Sequence, residues 1–240
     1  MDVYWLEQTE ADVPTENDWL SGREILRLSG LRFNKRRNDW RLGRWTAKRA
    51  LAVRLGVPAQ PPVLKKIEVL TSPSGAPEVF VAKKPADLTL SLSHRAGRAA
   101  CVVARSRVEL GCDVEVIEPH SNSFVGDYFT HEEQELFARA PAEDRSQLLA
   151  LLWSAKESTL KALREGLRLD TRCVIVKPEA RFDLRGWSPL QVRYTTGHVF
   201  RGWWQCEEGV VRTLVADPAP DAPIRLELPS YSSDCASRSA

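Results

Sequence analysis

The sequence predicts an α+β protein made of two similar, pseudo-duplicated halves, and three observations predict it. Helix-like segments followed by strand-like segments occur in that order twice along the chain. A stretch containing Pro119 and two serines, 117–123, separates the two runs. The 240 residues also suffice for two units of about 120 residues each. The repetition is one of order, not of sequence.

In the first run, residues 3–7 read as a short strand. Helical stretches follow at 17–28 and 37–55, the second with Trp45, Ala52 and Leu55 on one inward face. Gly56 and Pro58 stop that helix. Strands are predicted at 67–70, 88–92, 99–104 and 109–116. The second run starts with a helix at 131–139 and a longer one at 142–165. There Leu148, Leu149, Leu152, Leu160 and Leu163 supply a core stripe. Strands are predicted at 173–176, 190–194, 200–205 and 210–215. Each half is therefore expected to pack helices on a small, mainly antiparallel sheet. The units are 1–117 and 118–228, and the Ser-rich stretch 229–240 reads as a disordered tail.

Composition narrows the function classes. Hydrophobic residues make up 43% and charged residues 28%, ordinary values for a soluble globular protein. Lys and Arg number 34 against 32 Asp and Glu, a net +2 too balanced to announce a nucleic-acid binder. The five cysteines are odd in number and hold no CxxC pair, so neither a disulfide framework nor a zinc finger follows. The acidic start has no long apolar run, and no stretch approaches the ~20 apolar residues of a membrane span. A cytoplasmic protein without a membrane partner is expected.

Two acidic segments carry the chemistry. In Gly111-Cys112-Asp113-Val114-Glu115-Val116, period-two geometry puts Asp113 and Glu115 on one face of a strand. A half-exposed strand with solvated carboxylates would look the same. In Trp153-Ser154-Ala155-Lys156-Glu157-Ser158-Thr159-Leu160-Lys161, residues 153, 157 and 161 line one helical stripe. There too a core tryptophan beside a surface Glu157–Lys161 pair is an ordinary alternative. If strand face and helix stripe converge, three carboxylates share one pocket, and like charges that close raise a pKa unless a cation compensates. Oxygen ligands suit a hard ion, and Mg²⁺ completes its shell with water and substrate phosphates. That implies phosphate chemistry without choosing the reaction.

Two further segments hold anion donors. Ser93-His94-Arg95 ends a strand in a polar turn. Lys35, Arg36, Arg37, Arg41, Arg44, Lys48 and Arg49 make a basic stretch at a helix start, either a solvated face or an anchor for a polyanion.

The basic helix, a Gly-Pro turn, the Ser-His turn, Gly-x-Asp-x-Glu and Trp-Ser-x-Lys-Glu-Ser-x-x-Lys follow one another. In this the chain resembles the phosphopantetheinyl transferases of the two-domain, surfactin-synthetase-activating type, over about 32–166. The resemblance implies two similar halves with coenzyme A between them, acting as a monomer. It implies transfer of 4′-phosphopantetheine from coenzyme A to a serine of an acyl or peptidyl carrier protein, with Mg²⁺ and release of 3′,5′-ADP. Asp113, Glu115 and Glu157 match the metal ligands, and Lys161 matches the lysine at the pyrophosphate and leaving group. Glu157 is the candidate base. Ser93 and His94 match a pair that holds coenzyme A phosphates, His94 the 3′-phosphate. Lys48 matches a basic residue facing the nucleotide, with Arg36 and Arg37 as helpers.

The chain departs from the family in two places. Gly75-Ala76-Pro77 stands where Gly-Lys-Pro is common, and Arg95 follows Ser-His where a serine is common. Lys83, Lys84 or Arg95 are candidates to replace the missing lysine. Two other classes compete: a metal-dependent phosphodiesterase, and a non-catalytic nucleotide- or RNA-binding module on the basic helix. The first normally adds histidines to its metal sites, and here all four lie outside the acidic motifs. The second leaves those motifs without a task.

Overall fold

A computed structural model describes residues 1–178 and 186–228. The expected tail, 229–240, lies outside the described residues.

The first run contains β1 (Tyr4–Thr9), α1 (Gly22–Ser29), α2 (Asn34–Leu55) and a single turn, α3 (Pro61–Leu64). It continues with β2 (Ile67–Thr71), β3 (Pro77–Val81), β4 (Lys84–Pro85), β5 (Leu88–Arg95), β6 (Arg98–Arg105) and β7 (Glu109–Val116). The second run has α4 (Asn122–Tyr128), α5 (His131–Arg139), α6 (Arg145–Ala162), β8 (Val174–Pro178) and β9 (Ser188–Tyr194). It closes with β10 (Val199–Glu207), β11 (Val210–Asp217) and β12 (Ile224–Arg225). Short 3-10 turns lie at Gly166–Arg168 and Thr171–Cys173.

Helix ends follow local chemistry. The stretch expected to be helical from residue 17 becomes so only at Gly22, because Ser21 caps Glu24 N and the Glu24 carboxylate returns to Ser21 N. Thr130 and Glu133 make the same box at α5. Gly56, at φ +64, ends α2 in the left-handed conformation that glycine adopts without strain.

The strands form three sheets, in the orders β12-β1-β6-β5, β7-β11-β10-β9-β8 and β2-β3-β4. The two larger sheets pack face to face, each with a long helix on its outer side, giving layers α2, sheet, sheet, α6. Period-two alternation builds these layers. On β6, Cys101 and Val103 face the α2 core, while Val102 and Ala104 face the other sheet. On β11, Val211 and Val215 face the α6 core, while Leu214 and Ala216 meet the first sheet. A buried pair joins the sheets at one edge, where Arg212 Nη2 donates to Glu7 Oε1 at 2.7 Å.

At the seam the strand assignment differs from the sequence reading. β7 precedes the expected boundary yet pairs with β11 in the second sheet, from Glu109↔Asp217 to Val116↔Val210. β12 returns from the second half to pair in parallel with β1. Between β7 and α5 lies α4, which the sequence reading left as connection.

One local device occurs in both halves. Lys48 Nζ on α2 pairs with Glu24 Oε2 at 2.5 Å and donates to Trp19 O and Leu64 O. Lys156 Nζ on α6 pairs with Glu133 Oε2 at 2.8 Å and donates to Thr171 O and Val174 O. The second oxygens of Glu24 and Glu133 accept from Val69 N and Val176 N, the third residues of β2 and β8. All four side chains are sealed from solvent.

Candidate active site

The site forms where β5, an edge of the first sheet, lies along β7, an edge of the second. Gly111 sets the distance from β7 to α6. A Cβ there would sit 1.7 Å from Ser158 O, so only glycine lets the helix rest on the strand. Close contact then sorts the side chains of α6. Ser154 and Ser158 turn to β11, their hydroxyls 2.9 and 2.7 Å from Thr213 Oγ1. Lys156 turns back to Glu133. Glu157 and Lys161 remain for the β7 edge.

Asp113 is the centre of the arrangement and is only 4% exposed, which removes the reading of a solvated carboxylate. Its Oδ1 accepts from Lys161 Nζ and from Ser93 Oγ, each at 2.7 Å. Lys161 also donates to Cys112 O at 3.0 Å. Burial opposes the charge on Lys161, but Asp113 and its other acidic neighbours outweigh that and raise its pKa. Ser91 Oγ accepts from Cys112 N at 3.0 Å, so two serines of β5 fasten the strand edges together.

Glu115 and Glu157 stand beside Asp113. Burial first, and the Asp113 carboxylate second, push Glu115 up to about 7, with Arg95 and Trp153 opposing. Glu157 is raised for the same reasons, burial before Asp113, although Lys161 pulls it down. Asp113 Oδ2 is buried and has no hydrogen-bond partner among the described residues. A buried carboxylate oxygen without a partner, beside two carboxylates held above their ordinary pKa, is an excess of negative charge that a hard cation would relieve. The residues fit Mg²⁺.

Next to this cluster a cleft of about 920 Å³ opens between the halves. One wall carries the β2–β3 turn, with Ser74, Gly75, Ala76 and Pro77, and continues to Ser91. The other carries Lys161, Arg164 and Arg168. Gly75, at φ +92, adopts the conformation the turn requires. Arg44 and Arg107 also line the cleft, so five cations face two carboxylates, Glu78 and Glu165. Burial lowers Arg44 to about 10, and its guanidinium lies 5.1 Å from the Trp40 ring centroid.

Several expected site residues stand elsewhere. Lys48 does not face a nucleotide: it is fully buried in the first core and tied to Glu24, because its place in α2 is that of Lys156 in α6. Ser93 gives its one proton to Asp113 and has none for a phosphate in this arrangement. His94 is exposed at the end of β5, where partial desolvation lowers its pKa and Asp39, Lys161 and Lys35 act on it. The start of α2 is thereby near the site. Arg36 is exposed there, and Arg37 is half-buried, 3.5 Å from Leu31 O. The basic stretch as a whole is no solvated face, since Arg44, Lys48 and Arg49 are buried.

Arg95 pairs with Glu115 at 3.3 Å and with Glu118 at 2.5 Å, away from the Ala76 turn. Lys83 lies in the β3–β4 turn and Lys84 opens β4, and neither lines the cleft. Arg164, Arg168 and Arg107 do, and sequence reasoning missed them: Arg164 and Arg107 have positive φ in loops, with no spacing to mark them. A further grouping, Glu109, Asp217 and His198, lies at the opposite end of the β7–β11 ladder.

Comparison with known proteins agrees with these elements. Residues 109–215, from β7 through most of β11, match the 4′-phosphopantetheinyl transferase superfamily. The chain is 28% identical over 194 residues to the 4′-phosphopantetheinyl transferase HetI of Nostoc sp. (strain PCC 7120), covering 78% of this chain and 79% of that protein. Among solved structures it is similar to Helicobacter pylori holo-[acyl-carrier-protein] synthase in complex with coenzyme A, at 21% identity and a TM-score of 0.35. That match covers 43% of this chain and 99% of the other. A holo-(acyl-carrier-protein) synthase from Bacillus anthracis in complex with coenzyme A (3′,5′-ADP) is similar at 22% identity and a TM-score of 0.36, covering 42% and 92%. The span that matches the 4′-phosphopantetheinyl transferase superfamily holds Asp113, Glu115, Glu157 and Lys161 together.

Proposed function

We propose that this enzyme transfers 4′-phosphopantetheine from coenzyme A to a serine of an apo carrier protein, acyl or peptidyl, and releases 3′,5′-ADP. The observation that carries the reading is Asp113. One of its oxygens is fixed by Lys161 and Ser93 while the other is buried without a partner, at the end of a cationic cleft between two halves. Coenzyme A carries a pyrophosphate and a 3′-phosphate, which suit such a cleft. The relative HetI is described as a 4′-phosphopantetheinyl transferase, which supports the same reaction. The halves of one chain supply the whole site, so a monomer is the expected form.

Asp113, Glu115 and Glu157 would hold Mg²⁺, which when bound spreads the negative charge of the pyrophosphate. The chain's own residues do the rest. The serine hydroxyl of the carrier attacks the β-phosphorus, and the bond from that phosphorus to the oxygen of 3′,5′-ADP breaks. Glu157, with its raised pKa, is suited to accept the hydroxyl proton. Lys161, held as a cation by Asp113, offsets charge on the departing nucleotide. His94 and the start of α2, with Arg36 and Arg37, are positioned to meet phosphate at the edge of the site.

The test is a panel of apo carrier proteins incubated with coenzyme A and Mg²⁺ and read by intact mass. Gain of one phosphopantetheine on a carrier, with 3′,5′-ADP as co-product, is the expected result. Free phosphopantetheine without carrier modification would instead identify a phosphodiesterase.

A further inference from the structure

Arg168 spans the mouth of the cleft. It lies in the 3-10 turn that follows α6, and its Nη2 donates to Arg164 O at 2.9 Å on its own wall. The same nitrogen donates to Ser74 O, 3.2 Å away on the opposite wall. Ser74 lies in the β2–β3 turn, which is closed by Ser72 N to Ala76 O at 2.8 Å and by Gly75 N to Ser72 O at 2.9 Å. A side chain of the second half thus grips a backbone carbonyl of the first.

The grip leaves much of the guanidinium free. All side-chain hydrogen bonds of Arg168 among the described residues come from Nη2, and Glu165 Oε2 is 3.8 Å from Nε, too far for one. Among the described residues Nη1 keeps both of its protons unused, on a side chain that lines the cleft. The turn itself, Ser72 to Pro77, contains no cationic residue. Lys83, Lys84 and Arg95, the candidates to serve it, are directed elsewhere.

We propose that Arg168 is a substrate-positioning residue: fixed on Ser74 O through Nη2, it presents Nη1 to a phosphate of the nucleotide bound in the cleft. A planar guanidinium with one nitrogen committed and another free is suited to this, because its orientation is set before the ligand arrives. The turn gains from the opposite half the positive charge it lacks. The assignment rests on the cleft being the coenzyme A site.

The test compares the full chain with Arg168→Gln and Arg168→Lys. Dissociation constants for coenzyme A and dephospho-coenzyme A are measured by calorimetry at two salt concentrations, and transfer to a carrier gives KM and kcat. Arg168→Gln is expected to weaken coenzyme A roughly 5- to 30-fold, as for one charge-assisted hydrogen bond, with KM rising in step and kcat within about threefold. Arg168→Lys should recover part of the loss, and the salt dependence should be shallower in Arg168→Gln. A loss confined to coenzyme A identifies the 3′-phosphate as the partner; an equal loss for both ligands identifies the pyrophosphate. If Arg168→Gln binds both as tightly as the parent, or if Lys and Gln are equally impaired with no change in salt dependence, Arg168 is only a structural tie. If the parent chain neither binds coenzyme A nor modifies any carrier, the coenzyme A reading falls, and the assignment of Arg168 with it.

Discussion

Lys156 Nζ lies 2.8 Å from Glu133 Oε2 with both side chains closed to solvent, one residue before Glu157 in the chain. Breaking such a pair from one side leaves an uncompensated buried charge, which costs about 3–5 kcal/mol. Glu133→Gln is therefore expected to destabilise the protein by that amount. Glu24→Gln should do the same at Lys48, its counterpart in the first half. Urea denaturation checks both, and a loss below about 1 kcal/mol would mean that water or another group reaches the lysine.

Gly111 offers a sharper test of the site. Alanine there would drive its Cβ against a helix carbonyl, and that atom belongs to backbone with no rotamer to yield. Gly111→Ala should cost at least about 2 to 3 kcal/mol and separate α6 from β7. Turnover should fall with it, because Glu157 and Lys161 ride on α6 while Asp113 rides on β7. A stable variant with parental turnover would show that the spacing is not what assembles the site.

Replacement of the carboxylates should leave the fold intact and remove activity. Asp113→Ala and Glu157→Gln are expected to lower turnover by roughly two to four orders of magnitude. Lys161, its side chain 27% exposed, can meet water once Asp113 is gone. Steady-state transfer assays with circular dichroism as a folding control decide the matter, and near-normal turnover removes that residue from the mechanism.

Glu115 gives a prediction in pH. Its folded pKa of about 7 lies above the unfolded value of about 4.5, so between them the native state holds a proton the unfolded chain has lost. The metal-free protein should then be more stable near pH 5 than near pH 7, and the contribution should decline as pH rises through that window. A shift of this size corresponds to about 3 kcal/mol. Glu115→Gln should flatten the dependence. Because a ligand carboxylate must be ionised, Mg²⁺ should bind more tightly at pH 7.5 than at pH 6. Denaturation and calorimetric titration across that range test both, and equal pH profiles for parent and variant would place the titration elsewhere.

The acidic motifs were legible because their spacing is geometric. Alternation along 109–116 put Asp113 and Glu115 on one face, and the interval of four put Glu157 and Lys161 on one stripe, as the structure has them. Type alone misled at Lys48. A lysine in a basic stretch reads as a surface cation, and only the distant Glu24, reached through the fold, makes it a core residue. Ser93 misled likewise, since its partner Asp113 lies on another sheet. The membership of β7 was hidden for the same reason: a strand's partner is a property of topology, and nothing local in 109–116 names β11. Arg168 acts from a loop, where no period exists to betray it.

The return of β12 to the edge of β1 has a mechanical consequence. The chain crosses between the two larger sheets after β6 and again after β11, and a body joined at two separate crossings cannot swing freely about either. With Arg212 clamped on Glu7 as well, the two sheets behave as one frame. Widening of the cleft then falls to the protruding tip of the β2–β3 hairpin, which Arg168 holds by a single backbone carbonyl. For the proposed function, nucleotide exchange is then a small local displacement, and a carrier would meet a carboxylate surface whose shape is the same before and after the nucleotide has changed.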